Sequence, residues 1–551
     1  MSVSGTTRRV AAISIVLLFA VLLPRSGPCS TYAVYIPLDS SIYRALDTLN
    51  GLGYLDSYLP EIKPITRVEA ARLTLEAQSK LDQSDQPNPL ARRLVTILRA
   101  ALKEEVSWVE NDDEDNRPTM FHPVQRIETQ YVYSSGERRT LDTGSSGIDW
   151  HEGTPLLPYN DGIPSASGNN EVLRWSGWAG FGGFLTGYGE GTVAGPLGDQ
   201  ATTGGRIQLL TGAAVVGLGN VALSFGQEET AWGTGQFGLL SQSNNGLPFP
   251  ALRGQNIHPG HLPSVFRYLG LMRWQAFIAQ LDGERPFSHP WLVAQTVCFK
   301  TLPWLEWGLN HAVMFGGSGN DNYSVGGAIS RGIGIDTGNS DGANTNSRFG
   351  AYLRIHFPQL RNTQVYYEIL GEDFYQPFGH GSIKTPFKAP SYQVGVYAPM
   401  VTADGLTDAV AEWTVLDREY STHSDSLYWT YREDLMGDTL GPGAWRIEAQ
   451  AGRWFAEQRK FDLSAFYIER SPNLLVPISV GTNKETSFGG ALDYTEIPFA
   501  VAALGDSLGE TKARFAIEYV NDINYSTHSS LRTLVQLSFA LEPSMPSLVW
   551  P

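Results

Sequence analysis

From Phe121 to the end of the chain, side-chain character repeats every second residue, and no later segment reaches the roughly 20 consecutive apolar residues of a helical membrane span. Ile127, Thr129, Tyr131 and Tyr133 alternate with Arg126, Glu128, Gln130 and Val132, and the theme returns over 172–178, 206–216, 265–281, 291–300, 305–315, 352–357, 364–370, 392–398, 408–416, 445–454, 461–468, 513–519 and 531–539. Alternation over such a length predicts one large antiparallel sheet. The connections sort into two classes. Leu218-Gly219, Leu302-Pro303, Gln359 to Arg361, Ala403 to Gly405 and Gln458-Arg459 are tight; 316–347, 372–391 and 417–443 are long and polar. Short turns at one rim and long loops at the other are the pattern of an outer-membrane barrel. The fold class expected is therefore an all-β transmembrane barrel of roughly 16–18 antiparallel strands, with a small N-terminal α-helical unit. The last strand, Leu531-x-Thr533-x-Val535-x-Leu537-x-Phe539, resembles the aromatic-ending signal that barrel-assembly machinery reads, although residues 540–551 extend beyond it.

Composition narrows the function classes. The 551 residues hold 40 basic and 56 acidic side chains, a net charge of −16, which argues against a nucleic-acid partner. With 58 glycines, 11% aromatics and 17% charged residues, the chain fits a barrel better than a cytosolic enzyme.

The N-terminus reads as a secretory signal over residues 1–33. Arg8 and Arg9 precede an apolar run from Val10 to Leu23, Pro24 ends it, and cleavage is expected between 27 and 33. Cys29 raises lipidation, but Pro28 before it fits poorly; without Cys29, Cys298 has no partner for a disulfide and reads as a small apolar strand residue. Residues 34–110 form the helical unit. Ile42, Ala45, Leu46 and Leu49 recur at helical spacing before Gly51; Thr66 to Glu69 is a capping box; and Pro89 opens a stripe through Leu94, Ile97, Leu98, Ala101 and Val106. The acidic stretch 111–118 reads as a linker, lacking the spacing of a calcium loop. The barrel is assigned to 119–541 and a C-terminal extension to 542–551.

The segment Val221 to Arg253 carries the functional content. Val221, Leu223 and Phe225 point one way and Ala222, Ser224 and Gly226 the other, an apolar face toward lipid and a small polar face toward a lumen. Gln227 and Glu229 would continue the apolar face, so the strand must leave the hydrocarbon near Gln227. A long loop follows with Trp232, Phe237, Asn244, Asn245, Phe249 and Arg253. Aromatic faces beside amides and a guanidinium suit a carbohydrate. Glu228 follows the lumen face, either as an ion pair with an arginine on a facing strand or as an acceptor for sugar hydroxyls. Gly233 to Gly238 matches GxGxxG, but no helix follows to receive a pyrophosphate, and close packing explains the glycines better. Residues 334–346 hold enough Asp and Asn for a calcium site, yet read as an external loop. No nucleophile and base stand at a recognisable spacing, and neither GxSxG nor HExxH occurs. No cofactor is expected.

Gly226, Gln227, Glu228, Trp232, Gly233, Gly235, Ser243, Asn244, Asn245, Pro248, Phe249, Pro250, Leu252 and Arg253 match the signature of the Wzi-type capsule-assembly proteins; Ala231 and Thr234 depart from it. The segment from Ala45 to Leu73 resembles the opening of Wzi-like proteins as well. The resemblance implies a non-enzymatic outer-membrane barrel, its helical unit at the periplasmic side, that binds capsular or other surface polysaccharide. Glu228, Trp232, Asn244, Asn245, Phe249 and Arg253 are the candidate contacts, and outer-membrane lipid and the barrel-assembly machinery are the other partners. A substrate-passing porin and an outer-membrane hydrolase are the rival readings.

Overall fold

The computed structural model describes residues 32–111, 119–142, 149–196, 205–320, 345–372, 388–421, 427–455, 458–471, 484–501, 507–543 and 548–550. Residues 1–31 of the expected signal segment, 112–118 of the acidic linker, and 321–344, which include most of the calcium candidate 334–346, lie outside these residues.

Alternating side chains close one sheet into a barrel. Among the described residues eighteen long strands run antiparallel to their neighbours, each next to the one before it in the chain. The first, Thr119–Ser135, pairs with the last, Ser530–Glu542, with Thr129 opposite Phe539, so no edge is left open. Beyond the last long strand, Leu548–Trp550 adds three further pairs along Thr119–Phe121.

The alternation has the expected direction. Along Val221–Gln227, Leu223 and Phe225 are exposed on the outer wall whereas Ala222 and Ser224 are buried inside. The last strand exposes Leu531, Leu537 and Phe539 and buries Arg532, Leu534 and Ser538. Trp291 and Trp304 are exposed near strand ends, where an interfacial aromatic belt belongs. Turns of two residues join Arg206–Leu218 to Val221–Gln227 and Trp291–Leu302 to Leu305–Phe315, and define a short-turn rim. The opposite rim carries the long connections, including 228–249 and 417–443.

Three strands escape the sequence reading. Pro250–Asn256, read as the end of the loop that carries Arg253, is a wall strand between Val221–Gln227 and Leu271–Gln280, and its residues alternate in and out over only seven positions. Leu185–Pro196 holds four glycines in twelve residues, and Glu485–Val501 places a Gly-Gly pair and a proline within an otherwise alternating run, so neither shows clean contrast. In the other direction, the strand read from Val265 begins only at Leu271; Ser264–Leu269 is a 3-10 turn.

Among the described residues four helices precede the barrel: α1 (Ser41–Gly51), α2 (Arg67–Asp82), α3 (Pro89–Ala101) and α4 (Lys103–Asn111). The single stripe expected from Pro89 to Val106 breaks at Leu102, whose φ of −117° and ψ of 29° leave the helical region. Thr66 caps α2 by accepting from the Glu69 N–H at 3.1 Å. The other half of the capping box does not form, because the Glu69 carboxylate turns to Arg72 and to His258 on the barrel connection.

The unit is too small to bury its apolar faces alone. Leu46, Leu49, Leu94 and Leu98 share one core with Trp454 and Ile497, which stand beside turns of the short-turn rim. The Asn362 amide in another such turn donates to the Gly51 carbonyl at 3.2 Å. The helices therefore seal the short-turn mouth of the barrel.

Candidate functional site

The strand Val221–Gln227 stops where the charged residues begin, and the chain turns into the lumen. Ala231–Trp232 pairs there with Ile62–Lys63 of the helical unit as a two-stranded antiparallel ribbon. Gly233 sits at φ +136° with Glu368 so close that a Cβ would stand 2.5 Å from its Oε2, so only glycine fits. The inward loop thus meets the helical unit inside the barrel, and the lumen is filled from both ends.

The six predicted site residues separate into three groups. Glu228 and Arg253 come together, with Arg253 Nε 3.7 Å from Glu228 Oε2. Arg253 also donates to the Glu229 carbonyl and to Thr230 Oγ1, both at 2.8 Å, and Glu228 accepts from the Tyr188 and Ser224 hydroxyls. This is the lumen ion pair across facing strands that the register allows. Trp232 and Phe249 meet through Phe277, at ring separations of 5.4 and 5.6 Å. Trp232 is fully buried and its indole N–H donates to Gln275 Oε1 at 2.6 Å. Asn244 and Asn245 form the third group. Asn244 donates to the Tyr159 carbonyl at 2.9 Å and Asp161 Oδ1 at 3.2 Å, and Asn245 to the Leu435 carbonyl at 3.1 Å. All six are thus engaged by protein partners, and of them only Asn245 also borders a large open space.

That space is a cavity of about 470 Å³ inside the barrel, lined by Asn245 together with Gln236 and Phe237 of the same loop. A second cavity, about 530 Å³, adjoins it on the side of the helical unit and shares Gln236, Phe237 and Tyr159. We call them the outer and inner chambers.

The outer chamber is polar and aromatic. Trp150 and Tyr159 enter from the connection 136–167, Asp434 and Thr439 from 417–443, and Arg446, Glu448, Arg470 and Arg514 from the wall. The wall residues occupy alternate, inward-facing positions of their strands. Arg446 is held 3.3 Å from Glu448 and 3.4 Å from Asp438, and Arg514 2.9 Å from Asp493. Burial, with Glu433 adjacent, pushes the Asp434 carboxyl up to about 8, so at neutral pH it carries a proton it can donate. Such a set offers ring faces for stacking, donors and acceptors for hydroxyls, and guanidinium groups for anions.

Sequence reading missed most of this lining. Trp150 lies in a connection with no periodicity, and the arginines look like ordinary polar positions until three-dimensional closure sets them opposite the loops. The one available signal was parity: Arg446, Arg470 and Arg514 all fall in the inward register.

The family model for capsule assembly protein Wzi matches residues 140–517, more than half of the chain. The chain belongs to the Wzi capsule-assembly family. Among solved structures, Wzi of Escherichia coli superimposes with a TM-score of 0.66 at 15% identity, over 93% of this chain and all of its own. That protein is described as an outer-membrane protein involved in group 1 capsule assembly and a carbohydrate-binding β-barrel. At this identity the likeness shows a shared Wzi fold. OprD of Pseudomonas aeruginosa aligns with a TM-score of 0.42 at 10% identity, covering 77% of this chain and 93% of its own. OccAB1 of Acinetobacter baumannii gives 0.42 at 8%, covering 78% and 97%. No curated protein matches the sequence.

Proposed function

We propose that this Wzi-family barrel resides in the outer membrane, binds surface polysaccharide in its outer chamber and helps hold or assemble that polysaccharide at the cell surface without turning it over. The observation that carries the reading is a lumen filled from both ends that keeps a polar, aromatic-lined chamber beneath the long-loop rim. Long loops face the exterior in such barrels, so the helical unit lies on the periplasmic side. The exposed apolar outer wall meets the lipid, and the aromatic-ending last strand is the feature assembly machinery would take up.

Within this reading the loop 228–249 has two parts. Glu228, Trp232, Phe249 and Arg253 fix its inward course. Asn245, with Gln236 and Phe237, presents the ligand side, and Asn244 anchors that side on the connection that carries Tyr159. The porin reading requires an aqueous path, and the helical unit with the inward loop stands across it. The test is a glycan array with purified protein, run beside single-channel recording in planar bilayers. Polysaccharide binding with little conductance supports the reading. Steady conductance without glycan binding would sink it, and release of reducing ends from a bound polysaccharide would turn it toward a hydrolase.

A further inference from the structure

Arg470 is the last residue of the strand Arg459–Arg470, inward-facing, 1% exposed and part of the outer-chamber wall. Its Nη1 donates to Glu485 Oε1 at 3.4 Å. Among the described residues its Nε and Nη2 have no hydrogen-bond partner. Those two N–H groups share one edge of the guanidinium, the edge that takes both oxygens of a carboxylate in parallel. Leaving a buried donor pair unfilled costs stability, and the rest of the cluster does not fill it. Arg139 is taken by Glu485 and Glu518, and Arg532 by Glu518 and Glu152. Of the arginines lining the outer chamber, Arg470 alone keeps such an edge among the described residues.

Two neighbours define what would fill it. The Tyr525 hydroxyl, also buried without a partner, lies within electrostatic reach of Arg470 and can add a donor. The Trp150 ring lies 5.5 Å from the guanidinium carbon and lines the same chamber, with Phe237 and Asn245 on its other walls. A bare anion would need the fork alone. Ring faces and an amide around it suit an anion carried on a sugar ring.

We propose that the outer chamber is a subsite for a carboxylate-bearing sugar, a uronic acid unit of the polysaccharide. The carboxylate takes the Nε–Nη2 edge of Arg470, with the Tyr525 hydroxyl as a further donor and the ring beside Trp150. The proposal rests on the polysaccharide-binding reading and adds its chemical class.

The experiment uses purified full-length protein in detergent, titrated by calorimetry with glucuronate, with glucose, with inorganic phosphate, and with the surface polysaccharide of the producing cell before and after carboxyl reduction. Glucuronate should bind at least about tenfold more tightly than glucose, and Arg470→Gln and Arg470→Lys should each weaken it about ten- to a hundredfold while heat-modifiable gel mobility is kept. The lysine variant matters because it keeps the charge beside Glu485 and loses only the fork. Equal affinity for glucuronate and glucose overturns the proposal. So does glucuronate binding that is unchanged in Arg470→Gln, or polysaccharide that binds equally well after its carboxyls are reduced. Phosphate matching glucuronate overturns the sugar assignment in favour of a general anion site. Polysaccharide that fails to bind in either form refutes the functional reading itself.

Discussion

Replacing Trp232 by alanine should unlock the inward loop while leaving the barrel wall intact. The side chain is fully buried against Phe277 and donates its N–H to Gln275. Removing a buried Trp to Ala costs about 3–5 kcal/mol, and the stranded Gln275 oxygen adds about 1 kcal/mol. The loop can relax into part of that space, so about 3 kcal/mol is the working figure. The loss falls on local bonds: Trp232 N–H to the Gln242 carbonyl and Gly233 N–H to the Glu61 carbonyl, both 3.0 Å. A drop of about 3 kcal/mol in local opening energy is about a hundredfold in exchange rate. Amide hydrogen exchange should therefore speed up about a hundredfold at 232–233, with the ladder pairs of Val221–Gln227 unchanged. Trp232→Phe keeps the ring contact and should show a smaller effect. Polysaccharide affinity should fall in Trp232→Ala because Gln236, Phe237 and Asn245 lose their positions. Unaltered protection at Trp232 and Gly233 in a folded alanine variant would refute the idea that this indole holds the loop.

Arg253→Ala should destabilise the same loop by about 3–5 kcal/mol, because it strands the buried Glu228 carboxylate; Arg253→Ala with Glu228→Gln should recover much of the loss in a double-mutant cycle by thermal melting. Deleting 34–110 should leave a barrel that inserts and shifts on unboiled gels, since the strand ladder uses none of those residues, and should raise single-channel conductance. Docking of the helical unit should weaken at acid pH through Glu69. Burial alone would raise this carboxyl, but Arg72 and His258 hold it down to about 2, below its usual 4.5. A depressed folded-state value gives stability that is present above about 4.5 and is lost as pH falls toward 2, here about 3 kcal/mol. Exchange in α2 should rise over that window, and Glu69→Gln should abolish the pH dependence.

The wall was legible because lipid on one side and a packed lumen on the other force contrast between neighbours; Leu223 and Phe225 against Ala222 and Ser224 is that contrast in four residues. Where the contrast is diluted, as in Leu185–Pro196 with its glycines, the strand exists by virtue of its neighbours rather than its own pattern. The inward loop was visible as a break in period, with its partners invisible. Trp232 pairs with Ile62, 170 residues away along the chain, and no local rule reports that. The chamber was the least legible part, because Trp150, Asp434 and Arg470 come from separate connections and strands.

The filled lumen has a mechanical consequence. The helical unit touches the wall through charges as well as apolar contacts: Arg354 Nε lies 2.8 Å from Glu61 Oε1, Arg44 pairs with Asp462, and the Ser41 hydroxyl donates to Glu510 at 2.9 Å. Leu38 N–H donates to Glu229 at the root of the inward loop. Burial, with Asp161 adjacent, pushes the Glu229 carboxyl well above its usual range, and three separate segments meet at this contact. Breaking one such buried pair by removing a partner costs about 3–5 kcal/mol, so spontaneous opening of the whole seal is rare. Because the ribbon of Ile62–Lys63 with Ala231–Trp232 belongs to both the helical unit and the loop, neither can leave without the other yielding. A ligand that orders Gln236, Phe237 and Asn245 therefore stiffens a path that ends in the helices at the short-turn rim. If the proposed polysaccharide fills the outer chamber, the one paired ribbon is the route by which its binding would reach the helical unit, and exchange at Ile62–Lys63 should then slow when polysaccharide is added.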